Sequence, residues 1–413
     1  MRAAILDKNA SLVFFYHPHD NSPMIGDLSN IPSPSYVIDA DALQRNFREI
    51  DRVQKAADVY FIPALKGFAL WKLFPEMKPY VDGASASGLY ESRLIFEEMG
   101  VRAHTYSPAF AEQEFSEILR YSSHITFNSV SQFRTFSPRV KDHNAGVANS
   151  VSCGIRVNPG YSPVKTELYN PAAEGSRLGA DPNEAISLST QDMLKGLHFH
   201  VLCESSADES VKAITTFEEK FRGILESGKI DWVNFGGGHL VTKPGYDTDV
   251  LIEGLKAFRS RYPGIRVYLE PSSAYAWDAG VLRSKVLDIV QSAGIRTAIL
   301  DVSFTAHMPD CLEMPYQPRV LGAQIPGGAN GDNDYRYRLG GCSCLAGDWI
   351  GDWIFPHELA IGDDIAFADM IHYTMVKTTM FNGVRHPSIG IVENGSFTLL
   401  KRFGYEDYKN RMS

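Results

Sequence analysis

The feature that most constrains this chain is an alternation of two textures. Short β-branched or aromatic runs recur, each followed by a longer stretch whose apolar residues have helical spacing. The candidate strands are Val59–Leu65, Tyr80–Ala84, Val101–Tyr106, His124–Asn128, Val151–Asn158, Lys195–Val201, Trp232–Phe235 and Arg266–Glu270. Amphipathic stretches such as Gly88–Glu98, Ala109–Leu119, Ser210–Glu226 and Asp249–Arg261 lie between them. Strand and crossover helix in strict alternation predict parallel strands with helices outside them. Eight such units are the count of a (β/α)8 barrel. An open doubly wound sheet is the rival reading of the same pattern.

After residue 275 the texture changes. Val281–Ser292, Tyr335–Arg338, Asp364–Ala368 and Phe397–Phe403 read as strands separated by Gly-rich turns, with few long helices. The expected architecture is a barrel over 39–275 followed by a β-sandwich or β-barrel domain built from 276–413 together with 1–38. Two segments interrupt this order. Pro159 to Asn183 is polar and too long for an ordinary connection, which marks it as a candidate functional loop. Pro326 to Asp334 reads by composition as a flexible surface loop.

Composition narrows the class of function. Hydrophobic residues at 44% and charged residues at 22% are the balance of a globular chain with a sizeable core, which excludes a disordered or fibrous protein. Lys plus Arg total 40 against 49 Asp plus Glu, a net charge of −9 that disfavours nucleic acid and suits a cationic partner. The five cysteines, Cys153, Cys203, Cys311, Cys342 and Cys344, are odd in number and scattered, as expected of free thiols in a reducing compartment. The early apolar run Leu12 to Tyr16 is too short for a signal-peptide core, and no stretch approaches the ~20 apolar residues that cross a membrane. The expectation is a soluble cytoplasmic protein.

The residues with chemistry fall where a barrel places its active site, at the carboxyl ends of the strands. Lys66 ends the first run, His200 lies near the end of the sixth, Gly236-Gly237-Gly238 follows the seventh, and Glu270 ends the eighth. Each type has a role if the ligand is pyridoxal phosphate. A lysine amine in an apolar setting loses basicity and can form a Schiff base. Glycines let backbone N–H groups approach a phosphate, a carboxylate keeps a pyridine nitrogen protonated, and an imidazole can stack on a ring face. Each also has an ordinary reading: a solvated strand end for Lys66, a flexible turn for the glycines, a turn start for Glu270-Pro271. The alternating His198 and His200 suit a packed strand, and no third and fourth ligand at usable spacing makes them a zinc site.

In this order, Lys66, Gly196-Leu197-His198-Phe199-His200, Gly236-Gly237-Gly238, Glu270-Pro271, Gly341 to Asp348 and His372-Tyr373-Thr374 resemble the alanine-racemase-like, fold-type III pyridoxal-phosphate decarboxylases. The resemblance runs from about Ile31 to the end. Ala306 to Tyr316 and the Cys344 to Asp348 segment look most like the carboxynorspermidine/carboxyspermidine decarboxylases. It implies that Lys66 carries the cofactor, that His200 stacks on its ring and that Glu270 pairs with its nitrogen. Gly236, Gly237, Gly238 and Tyr373 would hold the phosphate side, with Asp82 and Ser85 in support. Cys344 would return a proton to the substrate and would enter from the second subunit of a homodimer. Asp310, Glu313 and Asp348 would meet a cationic carboxylated polyamine, and no metal is implied. The implied reaction is loss of carbon dioxide, giving norspermidine or spermidine.

Three departures stand out. Ser272-Ser273 replaces the usual Gly-Arg of the phosphate site, leaving only hydroxyls to donate. Leu345 replaces the aspartate that ornithine decarboxylases use for the far amine, and Cys203 stands where relatives carry a serine. The alternatives are diaminopimelate decarboxylase, for which Arg156 and Arg177 would receive a second carboxylate, and a catalytically inactive relative that binds a regulatory partner.

Overall fold

In the computed structural model the described residues are 30–165, 167–327 and 335–413, so most of the Pro326 to Asp334 loop and the Leu12 to Tyr16 run lie outside them. The described residues divide into two units, one formed by 46–275 and the other by 276–413 with residues 30–45. β1, Ser35–Asp39, belongs to the second of these. Helix Ala40–Ala57 follows it, capped by the Asp39 carboxylate, which accepts from the Ala42 N–H at 2.9 Å.

Unit 46–275 is a parallel barrel. Its strands are β2 Tyr60–Phe61, β3 Ser85–Ala86, β4 Ala103–Tyr106, β5 Ser122–Phe127, β6 Ser152–Arg156, β7 Leu194–His198, β8 Trp232–Asn234 and β9 Arg266–Leu269. They pair in the order β2-β9-β8-β7-β6-β5-β4-β3, every ladder parallel. The ring closes beyond the end of β2. The Ser85 N–H donates to Pro63 O at 2.8 Å and Ser85 O accepts from the Leu65 N–H at 3.1 Å, one residue before Lys66. Closure excludes the open-sheet alternative.

The strands read as apolar runs because a parallel barrel buries both of their faces. Trp232, Tyr268 and Ile62 pack together inside, with the His104 and His124 rings stacked at 3.8 Å. Helices Glu112–Tyr121, Val130–Ala145, Ala207–Leu225 and Thr248–Arg261 cross between successive strands. Helix Ala207–Leu225 begins with a full capping box, Ser206 with Glu209. One strand expectation is displaced. Lys78–Tyr80 forms a 3-10 turn, so the second strand of the barrel begins at Ser85, after the expected Tyr80–Ala84 segment. The polar segment from 159 to 183 is largely irregular and is pinned near the carboxyl ends of β5 and β7. Asn128 Nδ2 donates to Arg177 O at 2.8 Å, and Ser162 Oγ donates to Val201 O at 2.6 Å.

The second unit is a mixed sheet. It adds β10 Gly280–Ser292, β11 Ile295–Leu300, β12 Arg336–Gly340, β13 Trp349–Ile354, β14 Asp364–Ala368, β15 Ser388–Glu393 and β16 Ser396–Lys401. The order is β13-β12-β11-β10-β1-β15-β16, with β14 also pairing β10. Thus β1, from the amino-terminal part, lies between β10 and β15, antiparallel to the first and parallel to the second. Ile31, Val37, Val281, Ala366 and Val392 form its core. Nearby, the fully buried Arg283 pairs with Asp364 at 2.7 Å.

Candidate active site

The carboxyl ends of the barrel strands bring four expected groups to one mouth. Lys66 follows directly on the segment that closes the barrel. Its side chain reaches solvent, while the protein packed around its amine lowers its pKa. Desolvation is the main cause; the Glu270 carboxylate opposes it and the Arg156 guanidinium adds to it. An amine of reduced basicity is a better nucleophile at neutral pH.

His200 lies two residues past β7 and is held far below its ordinary pKa by burial and by the positive charges of Lys66 and Arg156, so its ring is neutral. Its Nδ1 accepts from the Gly237 N–H at 3.1 Å, which leaves the proton on Nε2. Glu270 follows β9, and its N–H donates to Gly236 O at 2.7 Å. The glycine turn fits this crowded place for a physical reason. Gly236 has φ +68°, and a Cβ there would stand 2.6 Å from the Phe199 carbonyl oxygen. Gly237 and Gly238 continue the turn, against the Glu270 carbonyl and Leu202.

Sequence reasoning missed three roles at this mouth. Asn234, buried at the end of β8, donates from Nδ2 to Glu270 Oε1 at 2.7 Å and accepts from the Gly236 N–H at 2.8 Å. A polar residue inside the apolar run Trp232 to Phe235 is the signal that could have found it. Glu91 accepts from the Ser87 N–H at 2.6 Å and adds negative charge near Lys66. Arg156 does not wait for a substrate carboxylate. It is buried, donates to His200 O at 2.9 Å and lies 4.8 Å over the Tyr106 ring. Arg177 lies on the polar segment, with its backbone carbonyl held by Asn128.

Two expectations at the barrel need correction. Asp82 precedes β3, and its charged neighbour is Arg266, the first residue of β9. It therefore belongs to the amino-terminal half of the strands, away from the mouth, because the strand starts later than the sequence pattern indicates. Ser272 has no hydroxyl proton to offer a phosphate, since its Oγ donates to Ala64 O. Ser85 lies next to the segment that closes the barrel, its backbone bonded to Pro63 and Leu65 just before Lys66.

The mixed-sheet unit holds the remaining candidates. Cys344 is exposed in the loop between β12 and β13, and its N–H donates to Asn382 Oδ1 at 3.1 Å. Cys342, in the same loop, has its thiol pushed up to about 11 by burial. Asp348 does not face substrate as expected. It is 4% exposed, and its two oxygens accept from the Thr305 and Ser343 N–H groups at 3.1 Å each. Its carboxylate shapes the loop that carries Cys344. Asp310 and Glu313, on the short helix Pro309–Glu313, both accept from the Lys377 ammonium. Burial works against that ammonium, but the two carboxylates prevail and its pKa is raised. Lys377 ends the turn Tyr373–Lys377, and Tyr373 at its start has a left-handed backbone, φ +39°, which a bulky residue rarely adopts. Among the described residues no group of three His, Cys, Asp or Glu side chains could hold a metal, and no helix is long and apolar enough to cross a membrane.

A parallel barrel with an activated lysine at its mouth, followed in the same chain by a mixed sheet, is the architecture of the fold-type III pyridoxal-dependent enzymes. Within that class this chain belongs to the pyridoxal-dependent decarboxylases: the family model described as "Pyridoxal-dependent decarboxylase, C-terminal sheet domain" matches residues 35–371. It is 45% identical to the carboxyaminopropylagmatine decarboxylase of Synechocystis sp., over 93% of this chain and 96% of that one. It is 40% identical to the carboxynorspermidine/carboxyspermidine decarboxylase of Campylobacter jejuni, over 92% and 98%. The crystal structure of carboxynorspermidine decarboxylase from Campylobacter jejuni, complexed with norspermidine, superposes with a TM-score of 0.83 at 38% identity, covering 92% of this chain and 100% of that one.

Proposed function

We propose that this protein is a pyridoxal-phosphate-dependent carboxy-lyase that converts carboxynorspermidine or carboxyspermidine to norspermidine or spermidine with release of carbon dioxide. The observation that carries this reading is the convergence of Lys66, His200 and Glu270 at one mouth, in a chain with end-to-end likeness to such decarboxylases. The donor set suits the cofactor: an amine of lowered basicity, a neutral imidazole and a carboxylate with one oxygen already engaged.

Pyridoxal phosphate, when bound, supplies an electron sink for the charge left at the substrate α-carbon as carbon dioxide departs. Lys66 would hold it through Nζ. His200 would cover a ring face without adding charge, and Glu270 would keep a proton on the ring nitrogen. The turn Gly236 to Gly238 would hold the phosphate. Cys344 of the partner subunit would deliver a proton to the α-carbon from Sγ, which makes the active unit a homodimer. Asp310 and Glu313 would receive the distal ammonium of the substrate. With Lys377 between them, the two carboxylates and one ammonium leave a single negative charge, enough for one cation.

A second substrate, carboxyaminopropylagmatine, is favoured by the 45% identical relative, and it would place a guanidinium where the polyamines carry an ammonium. The diaminopimelate alternative loses one of its two arginines, because Arg156 is committed to the His200 carbonyl and the Tyr106 face, while the Arg177 guanidinium near Tyr106 keeps it a competitor to be tested. Competition among the three carboxylated polyamines and diaminopimelate, with product identified by mass, tests the reading. A kcat/KM for one of the polyamines that exceeds that for diaminopimelate supports it, and the reverse order refutes it. A purified protein that takes up no pyridoxal phosphate would favour the inactive binding-protein alternative.

A further inference from the structure

Three hydrogen bonds at the barrel mouth form a closed ring. Asn234 Nδ2 donates to Glu270 Oε1 at 2.7 Å, the Glu270 N–H donates to Gly236 O at 2.7 Å, and the Gly236 N–H donates to Asn234 Oδ1 at 2.8 Å. The ring extends one step further, since the next N–H, that of Gly237, fixes Nδ1 of His200 at 3.1 Å. One buried amide thus ties together the end of β8, the glycine turn, the carboxylate after β9 and the imidazole after β7.

We infer that Asn234 is the positioning residue that sets the orientation of Glu270 and, through the glycine turn, that of His200. Only an amide can do this with both arms. The position needs a donor for a carboxylate and an acceptor for a backbone N–H, and an asparagine supplies each from one end. The donor arm claims Oε1, so that no second donor among the described residues hydrogen-bonds Glu270 Oε2, the oxygen left for a protonated ring nitrogen. An aspartate here would keep the acceptor arm and lose the donor arm, setting a second carboxylate against Glu270. That pair would share a proton, and Glu270 would cease to be the anion that the ring nitrogen needs.

The inference rests on the role assigned to Glu270 above, and the experiment separates the two. Asn234→Asp, Glu270→Gln and the double variant are prepared in the full chain and compared by affinity of the cofactor-free protein for pyridoxal phosphate, by its thermal midpoint, and by kcat and KM. Asn234→Asp is nearly isosteric and should lower both cofactor affinity and kcat by about 10- to 150-fold, the range for a lost hydrogen bond to a charged group. KM should change little. In the double variant the donor and acceptor exchange sides, with the new amide at position 270 donating to the new carboxylate at position 234. Cofactor affinity should then return towards that of the parent while turnover stays low. If Asn234→Asp binds cofactor and turns over like the parent, or if the swap fails to recover affinity while thermal midpoints remain equal, the inference is overturned. If Glu270→Gln alone retains full turnover, the assignment of Glu270 itself is wrong.

Discussion

At the scale of single residues, the site is decided by what burial does to charge. Lys66 loses basicity mainly through desolvation, and His200 is kept neutral by the same effect reinforced by nearby cations. Their identities are legible in the sequence because a lysine or histidine after an apolar strand is conspicuous. Asn234 is not, since its significance lies in which atoms its amide meets 36 residues away. Asp348 misleads for the opposite reason. The resemblance implies a substrate contact for this acid, whereas its partners are backbone N–H groups within reach only after folding. Asp310 tests the charge-matching part of the account. Asp310→Asn should reduce kcat/KM on a carboxylated polyamine by roughly 10- to 150-fold, the range for one charge-assisted contact. The loss should be smaller for a substrate that lacks the distal amine, and equal losses on both would assign Asp310 to the fold.

At the scale of elements, the order of strands is readable and their limits are not. Buried parallel strands read as apolar runs, which places eight of them nearly right. The ends depend on pairing partners, as at Ser85, whose bonds to Pro63 and Leu65 fix where β3 begins. β1 cannot be seen from local pattern, because its place between β10 and β15 rests on contacts distant in sequence. Within the barrel, packing is tight enough to predict a cost. A Cβ added at Gly196 on β7 would stand 2.0 Å from the Trp232 ring. Gly196→Ala should therefore destabilise the protein by about 1–3 kcal/mol, as overpacking does. Urea unfolding is the measurement, and an unchanged midpoint would mean that the barrel interior relaxes around Trp232.

At the scale of the whole molecule, groups far apart in the chain act together. The buried imidazoles His239 and His307 and the partly buried His124 are all lowered to about 4, chiefly by desolvation. Their unfolded counterparts titrate near 6.5, so as pH falls the unfolded state takes protons first. Stability should be lost progressively between pH 6.5 and about 4. A urea midpoint as high at about pH 5 as at neutral pH would contradict this. The shared-site arrangement is tested by mixing two inactive variants, Lys66→Ala and Cys344→Ala. Recovery of activity on subunit exchange is expected, since a mixed dimer then contains one intact site. Absence of recovery despite demonstrated exchange would remove Cys344 from the partner's site.

The proposed chemistry depends on Lys66 being the residue that carries the cofactor. Reduction of the loaded protein with borohydride, followed by peptide mass mapping, measures that directly. The expected result is one pyridoxyl adduct, on the peptide containing Lys66, and its disappearance in Lys66→Ala. An adduct on another lysine such as Lys243 or Lys377, with Lys66 unmodified, would contradict it.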